Sequence, residues 1–507
     1  MRIYTSLIIL IIIFGSSCRK DFDYGPSSGN LAFSKDTVYL DTVFTNISSS
    51  TYSLKVFNTT REDVNIPSIQ LKEGINSAYR LNVDGQDGKA FKNIPLFAQD
   101  SLYIFIEASV ASDALSEKNF LYTDVLQFDT GDAMQEVHLV TLVKDASFIY
   151  PKTLADGSKE VITLGTTSSG EEIRVAGTEL EDNQLVFTNE KPYVIYGYAK
   201  VPSGRELEIN AGARVYFHKD SGIYVESGAR LLVKGALSED QDNLENEVIF
   251  EGDRLQDEFK TLPGQWGSLW IAPGSTSNTI NYLTIKNATI GLRVEGNGIL
   301  ENATLDIKNS QIHNSVSNNL WAKTAFINAQ NLVLGSSEKS SLYCNLGGKY
   351  SFTHCTIANY WSNGFRLGSA LEIDNFNNNL SADLVQADFT NCIIDGNSFL
   401  ELDLRTNEVN GFIYSFKNCT LKFRDDSNAF KDNPLYDFEN SGSYELVLLN
   451  QELNFINAAT NDFRIGGGSE AMNNGNINAA LQIPLDILGN DRTTSPDIGA
   501  YEITQGK

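Results

Sequence analysis

Residues 281–285, 308–312, 330–334, 353–357, 390–394 and 417–421 read NYLTI, KNSQI, QNLVL, THCTI, TNCII and KNCTL, and this recurring pentad decides the fold. Its centres are Leu283, Ser310, Leu332, Cys355, Cys392 and Cys419, at spacings of 27, 22, 23, 37 and 27 residues. The first position of each pentad is polar and the last is always aliphatic. Asparagine stands just before the centre in four of the six, at Asn309, Asn331, Asn391 and Asn418. Centre and centre+2 share one side, as the period of 2 in a strand requires. A short strand returning at such intervals predicts a parallel β-solenoid, each repeat forming one coil.

Composition agrees. The chain has 507 residues, enough for more than one domain and a large core. Proline is scarce, glycine is frequent and no long helical periodicity appears, so the expected class is all-β. The formal charge of −25 opposes nucleic acid as a partner, because polyanion binding needs a basic footprint.

Outward from the repeat, the chain begins with a basic Met1-Arg2 and an apolar run over 7–14, too short to span a bilayer. Gly15-Ser16-Ser17-Cys18 follows. This resembles the lipobox of bacterial lipoproteins, with Gly15 where leucine is usual, and the resemblance implies a signal peptide over 1–18 and lipid attachment at Cys18. Membrane anchoring through acyl chains needs no spanning helix. The implied location is the outer membrane, facing the cell surface. Residues 19–30 read as a tether. Seven alternating segments between 31 and 145 predict a β-sandwich, and the lack of cysteine there excludes an immunoglobulin-type disulfide. The pattern resembles cysteine-free immunoglobulin-like modules. Residues 146–192 read as a junction.

From Tyr193 the solenoid is expected to run to 465. Its first coils carry the related stretches Asn210-Ala211-Gly212-Ala213-Arg214-Val215 and Glu226-Ser227-Gly228-Ala229-Arg230-Leu231, with Ile209, Val215, Val225, Leu231 and Val233 inside. Together these stretches resemble a right-handed parallel β-helix of the pectin-lyase-like superfamily. The tail Pro496-Asp497-Ile498-Gly499-Ala500-Tyr501-Glu502 is similar to a C-terminal segment of secreted and anchored β-helix proteins. Over 466–507 it is expected to cap the last coil, fastened by Arg492 to Asp497 or Glu502, because an open solenoid end exposes strand edges. The resemblance implies the fold. Activity has to come from the site, since such folds host lyases, hydrolases, adhesins and scaffolds.

Several sites compete. The aligned asparagines predict a ladder in which each amide bonds the next, against an outward ligand-binding row. Cys355, Cys392 and Cys419 align one position later and predict stacked thiols, because in-register strands hold β-carbons about 4.8 Å apart, beyond disulfide reach. Arg366, Arg405 and Lys417 beside Asp374, Asp395, Asp403 and Glu401 are the candidates for a lyase or hydrolase. Glu239-Asp240-Gln241-Asp242 is the one stretch that suggests calcium, and it lacks the glycine and spacing of a calcium loop, so no cofactor is expected. Trp321, Tyr360, Trp361 and Phe365, beside Asn318, Asn319, Asn359 and Asn363, have the aromatic and amide character that suits sugar rings.

The reading that follows is a lipid-anchored β-helix protein binding a glycan or a partner protein without catalysis. Its rivals are a polysaccharide lyase or glycoside hydrolase, and an accessory lipoprotein of an outer-membrane nutrient importer. Cys18→Ala is expected to release the protein from membranes; a variant that still sediments with the membrane fraction refutes the anchor.

Overall fold

The computed structural model describes residues 25–45, 47–111, 119–166 and 170–503. Cys18, the signal peptide and the first part of the tether lie outside the described residues. The chain divides into two compact units, Met1–Asp145 and Ala146–Lys507.

The first unit is the expected immunoglobulin-like sandwich. One sheet is centred on Val64–Leu71, Asn119–Phe128 and Gln135–Lys144, the other on Tyr52–Asn58, Ser101–Ala108 and Tyr79–Val83. Alternate residues such as Leu54, Val56, Ile104 and Ile106 face inward and are fully buried. The end of the tether belongs to this unit: Gly25–Pro26 pairs with Val64 and Asn65, and the Ser27 hydroxyl donates to Asp129.

The second unit is a right-handed parallel β-helix of three long sheets. A representative coil runs Leu269–Ile271 in sheet 1, Asn278–Asn281 in sheet 2 and Leu283–Lys286 in sheet 3. Each strand pairs in parallel register with its equivalent in the next coil. The pentads mark the corner between sheets 2 and 3. Tyr282, Asn309, Asn331, His354, Asn391 and Asn418 all adopt left-handed φ, between 48° and 54°. A single residue in this conformation reverses the side-chain alternation and turns the chain, and asparagine tolerates it better than most residues. Inside, Phe352, Phe389, Phe416 and Tyr444 stack with centroids 5.1, 4.9 and 5.6 Å apart. Cys355, Cys392 and Cys419 are buried and unbridged, and the Cys392 amide donates to Cys419 Sγ at 3.4 Å.

Three expectations need correction. The stack starts earlier than residue 193: Ser147–Ile149 pairs with Tyr193–Ile195, and Val186–Phe187 pairs with the next sheet 2 strand, so the supposed junction is the first coil. The amide ladder is interrupted. Asn331 Nδ2 donates to Asn309 Oδ1 at 2.8 Å, and Asn309 Nδ2 to Asn281 Oδ1 at 3.0 Å. Asn391 instead meets His354 Nε2 at 3.1 Å, and Asn418 donates to the carbonyl of Asn474 at 3.1 Å. Histidine at one corner breaks the chain of amides, and the tail supplies the remaining partners.

The tail, thirdly, does not cap the last coil. The last coil is covered by Phe430, Tyr436 and Phe438, packed on Phe423, with the Tyr436 hydroxyl accepting the Leu404 amide at 2.8 Å. The C-terminal segment runs back along the outer flank as a strap. Asn476 exchanges hydrogen bonds with Asn391, Leu485 accepts from Asn331 at 3.0 Å, and the Tyr501 hydroxyl reaches Gln311 at 3.4 Å. Gly499, at φ 108°, donates to the Asn391 carbonyl at 2.9 Å, and a β-carbon there would meet Ile393 at 2.7 Å. Arg492 is buried within the strap, 3.5 Å from Glu502, with its Nη atoms donating to the carbonyls of Gly499 and Ala500. Burial, and then the charge of Asp497, push Glu502 up to about 8.

Asn391 therefore serves both the corner and the strap. Asn391→Ala is expected to cost about 1–3 kcal/mol by orphaning buried partners, whereas Asn243→Ala, on an exposed loop, costs within about 0.5 kcal/mol. Equal losses in chemical denaturation would remove Asn391 from this role.

Candidate functional site

Sheet 1 carries a second repeat that the pentads hide. Its strands begin Leu-x-apolar: Leu292–Glu295 (LRVE), Leu320–Lys323 (LWAK), Leu342–Asn345 (LYCN), Leu371–Asp374 (LEID) and Leu402–Arg405 (LDLR). The leucine and the third residue point into the core, so the second and fourth point out. Register places Trp270, Arg293, Trp321, Tyr343, Glu372 and Asp403 in one outward row. Neighbours in such a row are about 4.8 Å apart at the backbone, close enough to act together.

The aromatic part comes first. The Arg293 guanidinium lies between two indoles, 3.5 Å from the Trp270 ring and 4.5 Å from Trp321, and pairs with Glu295 at 2.6 Å. Trp270 is buried in a cluster with Ile162 and Leu164, while Trp321 and Tyr343 are partly exposed. The carboxylate part follows. Arg405 draws together Glu372 at 2.9 Å, Asp374 at 3.5 Å and Asp403 at 3.4 Å. Asp374 also accepts from the Tyr343 hydroxyl at 2.7 Å, Asn345 Nδ2 at 3.0 Å and the Leu346 amide at 2.7 Å. Glu372 accepts from the Ser340 hydroxyl. Asp403 has the fewest partners, and burial pushes its carboxyl up from the ordinary value against the opposing pull of Arg405. An acid raised by its surroundings beside engaged carboxylates is the pattern of acid–base sites.

Of the residues read from sequence, Trp321, Asp374, Asp403 and Arg405 meet here. Glu372, Tyr343 and Arg293 were missed, because the loops between sheet 1 strands vary in length. The Leu-x-apolar signal was available for all of them. The other aromatic candidates lie elsewhere. Tyr360 donates to Asp395 at 2.7 Å and packs against Phe455 and Phe463 beside the strap, in a 610 Å³ cleft with Lys422 and Asn450. Phe365 is exposed on a loop. Trp361 is buried at 5% exposure, which removes it from any stacking role. The amides of Asn318, Asn319 and Asn359 are spent on backbone carbonyls, so they bind loops and not sugars.

The remaining basic candidates are engaged. Arg366 forms a buried pair with Glu401, and Lys417 pairs with Glu445 at 2.8 Å on sheet 2. His313 is half-buried and His354 buried, and both are pushed down, to about 4 and about 2, by desolvation and then by Lys286 and Arg492 respectively. In the 239–242 loop, Asp240 accepts the amides of Asp242 and Asn243. Among the described residues no group of three His, Cys, Asp or Glu is arranged to hold a metal ion.

No family model and no curated protein matches the chain. Among solved structures, it is similar to a GH87 α-1,3-glucanase catalytic unit from Streptomyces thermodiastaticus, at 12% identity over 72% of this chain and 83% of that one, with a TM-score of 0.27. It is similar to pectate lyase Pel9A at 12% identity over 62% and 88%, with a TM-score of 0.26. A PapD-like domain of human CEP192 matches at 9% identity over 24% of this chain and 87% of that one, with a TM-score of 0.16.

Trp361→Ala is expected to cost about 3–5 kcal/mol, the scale for deleting a buried aromatic. A variant that melts with the wild type would show that Trp361 does not support the fold.

Proposed function

We propose that this chain is a carbohydrate-active β-helix protein that binds an uncharged glycan along the outer face of sheet 1 and hydrolyses it at the carboxylate cluster. The observation that carries this is the continuous row from Trp321 through Tyr343 to Glu372 and Asp403. Partly exposed rings offer apolar faces to sugars. Glu372 and Asp403 are register partners on neighbouring strands, about 4.8 Å apart at the backbone, which suits the paired carboxylates that glycoside hydrolysis uses. In this reading Asp403 protonates the leaving oxygen, its carboxyl raised by burial, and Glu372 is the facing carboxylate.

The charge balance argues for hydrolysis over β-elimination. A polyuronate lyase needs spare positive charge to neutralise the substrate acid. On this face Arg293 and Lys323 are paired with Glu295, and Arg405 with three carboxylates. Binding without cleavage is the second reading, favoured by Arg405 sitting amid the carboxylates. Either activity would be displayed from the outer membrane through Cys18, and no helix among the described residues is long and apolar enough to cross a membrane.

Asp403→Asn is expected to lower the release of reducing ends from a neutral glycan by about 10²–10⁴-fold while preserving retardation in affinity gels. Trp321→Ala is expected to abolish that retardation. Retardation by the wild type with no release establishes the binding-only reading. If no neutral glycan is either retarded or cleaved, the proposal fails.

A further inference from the structure

The outward row of sheet 1 reaches further back than its open part. Register carries it from Trp270 to Tyr224 and then Lys200. Tyr224 and Trp270 point away from the solenoid core, yet they are only 6% and 7% exposed. What covers them is a hairpin, Val161–Thr166 paired antiparallel with Glu172–Glu179. Its Ile162, Leu164, Ile173 and Val175 pack with Tyr224, Trp270 and Ala272 in one apolar cluster.

Only the end of this hairpin belongs to sheet 1. Residues 177–179 pair in parallel with 198–200, and the chain before them lies on the outer face of the sheet. The bend needs a glycine: a β-carbon on Gly177 would stand 2.6 Å from the Tyr198 carbonyl oxygen and 2.8 Å from Ile162. A layer packed on a sheet stands about 10 Å above it, so the face steps up at Trp270. Beyond the step the row is open, first at Arg293, braced against both indoles, then at Trp321, Tyr343, Glu372 and Asp403. From Trp270 to Glu372 the row covers roughly 19 Å at the strand spacing, which holds only a few sugar units. At the other end Leu402–Arg405 is the last strand of sheet 1, so the sheet does not continue past the carboxylates.

We infer that the hairpin is the end wall of the sheet 1 groove, so that the site takes the end of a glycan chain, the rest of which leaves past Asp403. This rests on the glycan reading of the sheet 1 face and names the part of the glycan that it recognises. A chain laid on Trp321 and Tyr343 meets the hairpin within a few units and stops there. An internal stretch would have to climb a layer of about 10 Å and lose its contact with the rings. A groove shaped for internal stretches would gain by leaving Trp270 open in line with Trp321, since each further ring offers apolar area to a sugar. Here the hairpin takes that ring for its own packing.

The test is titration calorimetry of the full-chain Asp403→Asn variant, which spares the polymer, with pullulan, glucomannan and linear arabinan, each in a short and a long preparation. A walled groove is expected to bind one protein per chain at both lengths, because only one kind of end fits. A number that rises with chain length overturns the inference and leaves the glycan reading standing. Leu164→Asp in the same background is expected to lift the hairpin, seen as a red shift of indole emission as Trp270 meets water. The number bound is then expected to rise with chain length. An unchanged number after that shift also overturns the inference, since the stop would lie elsewhere. Leu164→Ser, a milder change with the same readouts, takes its place if Leu164→Asp does not fold. Absence of binding to all three polymers overturns the inference and the reading beneath it.

Discussion

From the strand Asn278–Asn281 onward the second unit depends on one constraint, the left-handed corner between sheets 2 and 3. At each corner a single residue with φ near 50° turns the chain. Because this corner is equally short in the pentad coils, the strands on both sides stack in register there, whereas in an earlier coil residues 235–247 intervene between Arg230–Lys234 and Val248–Gly252. Residues 22 to 37 positions apart in sequence thereby become neighbours. The interior phenylalanine stack, the thiol row and the outward row of sheet 1 are all consequences of that repeated geometry. In the pentad coils the longer loops, such as 360–370 and 375–383, enter at the other two corners.

The strap meets a cost that this corner creates. A left-handed asparagine presents amide groups on the flank, and a flank of unpaired amides and apolar residues such as Val333 and Ile393 is poorly suited to water. The strap satisfies the amides of Asn331, Asn391 and Asn418 and buries Val333 and Ile393 under Ile487, Ile498 and Ala500. It stitches coils together laterally, where an end cap would cover only one. Its own core holds Arg492 among Asp486, Asp497 and Glu502, three carboxylates to one guanidinium, and the raised Glu502 reflects that excess together with burial.

Sheet 1 is the face where charge and aromatic surface coincide. Its cations are consumed by its own carboxylates, in a chain whose net charge is −25. Such a face has little to offer a polyanion and is better matched to hydroxyls and apolar groups. The same balance keeps Arg405 central: it holds three carboxylates close that would otherwise repel one another.

The amino-acid sequence by itself determined the coils from Tyr193 onward, the pentad corner positions, the buried faces and the sandwich strands. These follow from local rules, the period of 2 in strands and the tolerance of asparagine for left-handed φ, which need no knowledge of distant residues. It also contained Trp321, Asp374, Asp403 and Arg405 as candidates, though not their meeting. That meeting, the burial of Trp361, the interruption of the ladder at His354 and the path of the strap were decided only by the tertiary structure. Loop lengths between sheet 1 strands vary, so their register is set by stacking against the previous coil. A tail such as 471–503 has no periodicity of its own, and its position is fixed by the flank that it satisfies.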